Sequence, residues 1–249
     1  MPDKNDAARD QPISRRTALG LLGAVGLGSL AAACSRNLAG SGVSPSSSSG
    51  SPSGTGAATA TPGSSIPSCV LTAEVTEGPY YLPLHLVRSD ITEGSSGVPL
   101  ELHLTVVNAS TCRPISGTVV DIWHADASGV YSGVAGQSGT FLRGVQSTGS
   151  DGGVRFKTVY PGWYMGRAVH IHVKVFLADQ TLHTGQLFFD DALTSSVYQA
   201  NAPYRSRPVV DTPNSSDGIF QQAGGTGAIL TMKRQGSGYL GSMVMGVNA

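Results

Sequence analysis

Pro161-Gly162-Trp163-Tyr164-Met165-Gly166-Arg167-Ala168-Val169-His170-Ile171-His172-Val173-Lys174-Val175 is the stretch on which the fold turns. Its second half alternates: Ile171, Val173, Val175 and Leu177 fall on one parity, His170, His172 and Lys174 on the other. Period-2 alternation with β-branched residues argues a half-buried strand. Residues i and i+2 of a strand share a face, roughly 6.5–7 Å apart, so two imidazoles can lean toward one point, as a metal requires. Pro161-Gly162 breaks regular structure and lets Tyr164 and Arg167 fold back over the same face. One histidine on a strand is an ordinary half-buried side chain; a His-x-His pair beside a Tyr and an Arg is a candidate site.

Outward from this stretch the chain reads as short strands. Leu100, Leu102, Leu104 and Val106 alternate with polar residues, and Thr118–Ala125 reads as a second strand. Asp126-Ala127-Ser128-Gly129 turns into Val130-Tyr131. Gly149-Ser150-Asp151-Gly152-Gly153 is a hairpin signal leading into Val154–Val159. Further strands are expected over Thr181–Phe189, Ile229–Met232 and Tyr239–Val247, while 190–207 is either a short helix or a loop. Seven or more short strands without a convincing amphipathic helix argue an all-β fold, an antiparallel β-sandwich.

The 249 residues carry no net formal charge and 33 glycines. There is no basic footprint for nucleic acid and no polybasic membrane patch. Ser14-Arg15-Arg16-Thr17-Ala18-Leu19 followed by an apolar run to Ala33 has the layout of a twin-arginine export signal. Leu30-Ala31-Ala32-Ala33-Cys34 resembles a bacterial lipobox, which would make a lipid on Cys34 the one membrane contact; the competing reading is ordinary Ala-x-Ala cleavage with Cys34 incidental. The organisation expected is a signal peptide over 1–34, a Ser/Gly/Thr/Pro tether over 35–68, uncharged from Asn37 on and unable to bury a core, and one folded domain over 69–249. In an exported protein the lone pair Cys69 and Cys112 reads as a disulfide rather than a zinc site.

With those cysteines paired and no glutamate after Glu101, a cupin-like metal site lacks its carboxylate. A 2-His-1-carboxylate iron site would have to recruit Asp121, Asp126 or Asp190. The other hard ligand is tyrosinate. A free phenol titrates near pH 10, so it binds at neutral pH only where a strong Lewis acid such as ferric iron displaces its proton. Tyr164 and Tyr131 are the candidates.

Four segments occur in order: Glu77-Gly78-Pro79-Tyr80-Tyr81; Val120-Asp121-Ile122-Trp123-His124-Ala125-Asp126 with Gly129, Tyr131 and Ser132; Phe141-Leu142-Arg143-Gly144; and Pro161-Gly162-Trp163-Tyr164 with Gly166, Arg167, His170 and His172. Together they resemble the intradiol ring-cleavage dioxygenases, the family of catechol and protocatechuate 3,4-dioxygenases, over about residues 69–249. The chain lacks the helical dimerisation region of the cytosolic catechol enzymes and is more similar to the exported, single-domain branch. The resemblance implies a β-sandwich of that type and non-haem iron(III) held by Tyr131, Tyr164, His170 and His172, with hydroxide as fifth ligand. It implies cleavage of a catechol-type ring with O2 to a cis,cis-muconate-type product, with Tyr164 released when substrate arrives. It further implies that Arg167 stabilises charge on the ring, and that Gln186 sits near the iron-bound hydroxide. Outside the resemblance, Arg167 reads as a salt bridge and Gln186 as a sheet hydrogen bond. Trp123 and Trp163 read as core or pocket wall, and His124 as a neighbour of the site.

A second reading is a non-catalytic, surface-tethered sandwich that binds iron or an aromatic or glycan ligand. The tether and the neutral charge suit it equally, whereas the Tyr, Tyr, His, His and Arg set favours catalysis.

Overall fold

The structure, a computed structural model, describes Cys69 and residues 71–249. The expected signal peptide, Cys34 and all of the expected tether lie outside the described residues.

Eight strands form in chain order: β1 (Pro99–Asn108), β2 (Val119–Trp123), β3 (Arg143–Ser147), β4 (Gly153–Val159), β5 (His170–Leu177), β6 (Gln180–Phe188), β7 (Thr231–Gln235) and β8 (Gly238–Val247). They make two four-stranded sheets, ordered β4-β1-β8-β7 and β3-β2-β5-β6. The alternation read from the sequence is the reason they stack. Leu100, Leu102, Leu104 and Val106 of β1 share one core with Val120 and Ile122 of β2 and with Ile171, Val173 and Val175 of β5. Each such side chain contributes about 1.5–3 kcal/mol when fully buried. A one-residue slip of β5 would turn this apolar row outward and the histidines inward, so register and site are fixed together.

The sandwich expected from the sequence is present, with three differences. The Gly149–Gly153 segment does close a tight turn, Gly152 N–H donating to the Gly149 carbonyl at 2.9 Å. It does not make a hairpin: β3 belongs to one sheet and β4 to the other, so the turn carries the chain between layers. Second, β1 and β8 pair in parallel, while every other strand pair is antiparallel. Third, the closing strand expected over Ile229–Met232 begins at Thr231, and Ile229 instead bridges to Phe188.

The undecided stretch after residue 190 holds a helix, α1 (Asp191–Ala200). Asp190 caps it, accepting from Leu193 N–H, which satisfies one of the amides a helix start leaves open. Its buried side chains are Thr194, Val197 and Tyr198. Tyr198 donates to the Pro161 carbonyl at 2.7 Å, and Tyr204, just beyond, donates to the Tyr160 carbonyl at 2.6 Å. The helix thus braces the backbone that leads into Tyr164. A second, one-turn helix, α2 (Gly218–Gln222), is capped by Asp217. Cys69 and Cys112 are bonded. No helix among the described residues is long and apolar enough to cross a membrane.

Candidate metal centre

β5 lies between β2 and β6, and register sets its neighbours: Trp123 and Gln186 flank His172, and Phe188 flanks His170. On the face away from the core, His170 and His172 turn toward each other, their Nε2 atoms 3.0 Å apart. The Nδ1 of His170 is 2.6 Å from the Ala168 carbonyl. A carbonyl only accepts, so Nδ1 carries the hydrogen and Nε2 keeps a free lone pair. The Tyr164 hydroxyl is 3.3 Å from that same Nε2.

Tyr131 arrives from a different loop. The Asp126 carboxylate accepts from Ser128 and Val130 N–H, tightening the turn just ahead of Tyr131. Gly162 N–H donates to the Asp126 carbonyl at 2.9 Å, tying the two tyrosine-bearing loops together. Gly129 is the pinch between them: its φ is +86°, and a Cβ there would lie 2.1 Å from the Trp163 carbonyl oxygen. Only glycine meets both demands. The Tyr131 ring then lies 5.7 Å from that of Tyr164 and 5.9 Å from that of His172, centroid to centroid.

The four rings share one small, dry volume. Tyr131, His170 and His172 are buried and Tyr164 is half-buried. Burial, with help from Arg167, pushes His170 down to about 3 and, with His170 and Arg167, holds His172 well below the usual imidazole range. Both are therefore neutral donors at physiological pH. Burial raises Tyr131 well above the ordinary phenol range, with Tyr164 adding to it; burial also raises Tyr164, partly offset by Arg167. The Tyr131 hydroxyl is buried with no hydrogen-bond partner, as is His172 Nδ1. A buried hydroxyl left unpaired costs about 1–3 kcal/mol. Two phenols and two neutral imidazoles, one phenol unpartnered, fit a strongly Lewis-acidic cation.

The carboxylates a 2-His-1-carboxylate site would need are engaged elsewhere. Asp121 accepts from the Tyr81 hydroxyl at 3.1 Å, Asp126 closes its own turn, and Asp190 caps α1. Among the described residues no three His, Cys, Asp or Glu side chains gather as a metal set.

Arg167 reaches the site from the same loop as Tyr164. Its Nε donates to Asp217 at 2.9 Å and its guanidinium to Gln186 Oε1 at 2.5 Å, while Gln186 Nε2 donates to the Thr76 carbonyl at 3.0 Å. Arg167 thus does make a salt bridge, but a largely buried one rather than one on the surface, and the Gln186 side chain bonds to Arg167 and to Thr76, neither of which lies in a strand. His124 is occupied by the Ala125 carbonyl and by Thr158 of the other sheet; it ties the layers together.

Sequence reasoning missed Asp217 as the partner of Arg167, because fifty residues separate them. The aromatic segment packs as a lid, the reading its turn-rich, aromatic sequence allows, but its partners had no local signal. Gly78 presses on His172, where a Cβ would stand 3.2 Å from Cε1. Tyr80 packs on Tyr131 at 4.7 Å, and Tyr81 on Trp123 at 4.8 Å. Lys174, next to His172 on the outer face, pairs with Glu77 at 2.6 Å and lies over the Tyr81 ring. The segment is a lid pinned by charge.

The chain belongs to the intradiol ring-cleavage dioxygenase family. Residues 76–220 match the family model described as Dioxygenase. The chain is similar to an intradiol ring-cleavage dioxygenase from Tetranychus urticae, with 34% identity and a TM-score of 0.68, covering 72% of this chain and 95% of that one. It is also similar to the dioxygenase domain of a dioxygenase–carbohydrate-binding fusion from the cellulolytic bacterium Streptomyces sp. SirexAA-E, at 29% identity and TM-score 0.56, covering 72% and 99%. Catechol 1,2-dioxygenase 1 of Acinetobacter lwoffii is 36% identical over 101 residues, 37% of this chain and 32% of that protein. The chain spans about a third of the length of the curated relatives it matches.

Proposed function

We propose that this protein is an exported non-haem iron(III) intradiol dioxygenase that opens catechol-type rings with O2 to cis,cis-muconate-type products. Tyr131, Tyr164, His170 and His172 would hold the iron. Ferric iron supplies the Lewis acidity that keeps phenols and catechol ionised at neutral pH and draws electron density from the ring, so that the ring reacts with O2.

The chain's own residues do the rest. His170, oriented through Nδ1 by the Ala168 carbonyl, and His172, stacked on Trp123 with Gly78 close to its Cε1 edge, offer Nε2 without rearrangement. Tyr131 is fully buried and stays in place. Tyr164 is half-buried, so it is the phenol free to swing away, and once released as a phenolate its oxygen would take a proton from the incoming catechol. Arg167, fixed by Asp217 and Gln186, presents a preorganised positive charge where negative charge builds on the ring. Gln186 works as a positioning residue through Arg167. The lid of residues 77–81 keeps bulk water from the donor atoms.

The observation that supports this reading most strongly is the convergence of two phenols on a His-x-His pair, with the buried Tyr131 hydroxyl unpartnered. Its test is visible absorption with oxygen uptake. Iron-loaded protein should be red-brown from tyrosinate-to-iron charge transfer, catechol should shift the band, and O2 should be consumed. A colourless protein at full iron occupancy would sink it. Export by the twin-arginine route, with lipid on Cys34, belongs to the same proposal. Detergent partitioning that persists in Cys34→Ala would remove the lipid.

A further inference from the structure

Resting on that reading, we infer that the site selects catechols with small uncharged substituents and rejects ring carboxylates. A cavity of about 230 Å3 is lined by both Tyr131 and Tyr164. Two larger cavities, of about 500 and 440 Å3, are lined by neither phenol. Around these two phenols the wall is Val130, Val134 and Ala135, with Tyr80 and Gln137 as its other polar side chains. The volume lies below the roughly 300–1,000 Å3 of sites for drug-sized ligands, which suits one aromatic ring with a short substituent.

No charged side chain of the described residues belongs to this wall. The nearby guanidiniums are all committed. Arg143 is spent on the Tyr80 carbonyl and on Ser132. Arg167 is held by Asp217 and Gln186. Arg207, close to Gly129 but not part of the cavity wall, lies 3.9 Å over the Trp163 ring and donates to the Ser128 carbonyl. A carboxylate on the ring would stand against Val130, Val134 and Ala135 with no free cation to pair with and at most the Gln137 amide and the Tyr80 hydroxyl to bond to, a poor exchange for its hydration. A methyl, halogen or methoxy group would instead meet Val130, Val134 and Ala135, and a ring hydroxyl could bond to the Gln137 amide. Discrimination by apolar contacts of this size is worth about tenfold or more.

The test is a binding and turnover panel of catechol, 4-methylcatechol and protocatechuate on the iron-loaded protein. Binding is read without oxygen, from the shift of the visible band and from quenching of protein fluorescence; turnover is read by oxygen uptake. We expect 4-methylcatechol to bind at least about tenfold tighter than protocatechuate, and kcat/KM to follow. Gln137→Arg, at an exposed loop position, should bring protocatechuate to within about threefold of 4-methylcatechol. Equal affinities, or protocatechuate the tightest, would overturn the selectivity while leaving the dioxygenase reading intact. Iron-loaded protein that binds all three yet consumes no O2 with any would overturn the dioxygenase reading instead.

Discussion

The Trp123 indole lies flat on the His172 imidazole, ring centroids 4.8 Å apart and planes 7° apart. Gly78 stands close to the Cε1 edge of His172, and Trp123 itself packs against Tyr81. Orientation of one donor is therefore set by aromatic packing rather than by a hydrogen bond, since Nδ1 of His172 has no partner. Trp123→Ala should cost about 3–5 kcal/mol of stability and lower bound iron, with Trp123→Phe intermediate in both. Denaturant unfolding and iron content check this, and an unchanged midpoint in Trp123→Ala would contradict it.

Tyr131 should trade stability for function. Its unpartnered hydroxyl is a burden in the metal-free protein, so Tyr131→Phe should leave that form as stable as the parent or about 1 kcal/mol more stable. The same variant should lose iron and colour. Tyr164→Phe should keep the fold, weaken the colour, and lower turnover by about a hundredfold or more, the scale of a lost proton acceptor. Thermal unfolding of the metal-free variants, set beside iron titration, separates these outcomes.

Much of this centre was legible in the chain. Alternation in Ile171, Val173 and Val175 placed the two histidines on one face, and the Pro161-Gly162 and Asp126–Gly129 turns placed the tyrosines on loops. What was hidden was non-local. Nothing near Gly149–Gly153 distinguishes a turn between paired strands from a turn between layers, because the difference lies in which strands occupy each sheet. The parallel β1–β8 pair joins segments more than a hundred residues apart, and parallel pairing has no local signature. Asp217 announces a helix start before Ile219-Phe220, yet that pattern cannot name Arg167 as its partner.

Two buried carboxylates should give opposite pH dependences. Burial would raise Asp217, but the Ala168 N–H and Arg167 outweigh it and hold it below the usual range. Its stabilisation is fully present above pH ~4 and is lost as pH falls further. Asp217→Ala should cost about 3 kcal/mol at pH 7 and flatten the acid limb. For Asp121, burial dominates over the Tyr81 hydroxyl and nearby cations and raises it to about 6. The folded state then holds that proton more tightly than the unfolded one, so stability falls as pH climbs from about 4 to 6. Asp121→Asn, which keeps an acceptor for Tyr81, should erase that decline, by up to about 2 kcal/mol. Unfolding free energies between pH 3 and 8 test both signs.

Gly78 allows a controlled comparison. Its φ is +75° and its missing Cβ leaves room for His172. Gly94 has nearly the same φ, +77°, with nothing within 4 Å. Both Ala substitutions should cost about 1–2 kcal/mol of backbone strain, but only Gly78→Ala should weaken iron binding. Equal iron affinities in the two variants would show that contact at His172 is unimportant.

The sulfur bridge has a mechanical meaning. Cys69 is joined to Cys112, just past the end of β1, and Thr72 N–H bonds to the Gly246 carbonyl in the neighbouring β8. Traction applied at Cys69 would thus reach the C-terminal ends of β1 and β8 together. Neither strand contributes a histidine or a tyrosine to the donor cluster. The layer that anchors the start of the fold is thus separate from the one whose β5 carries the two histidines.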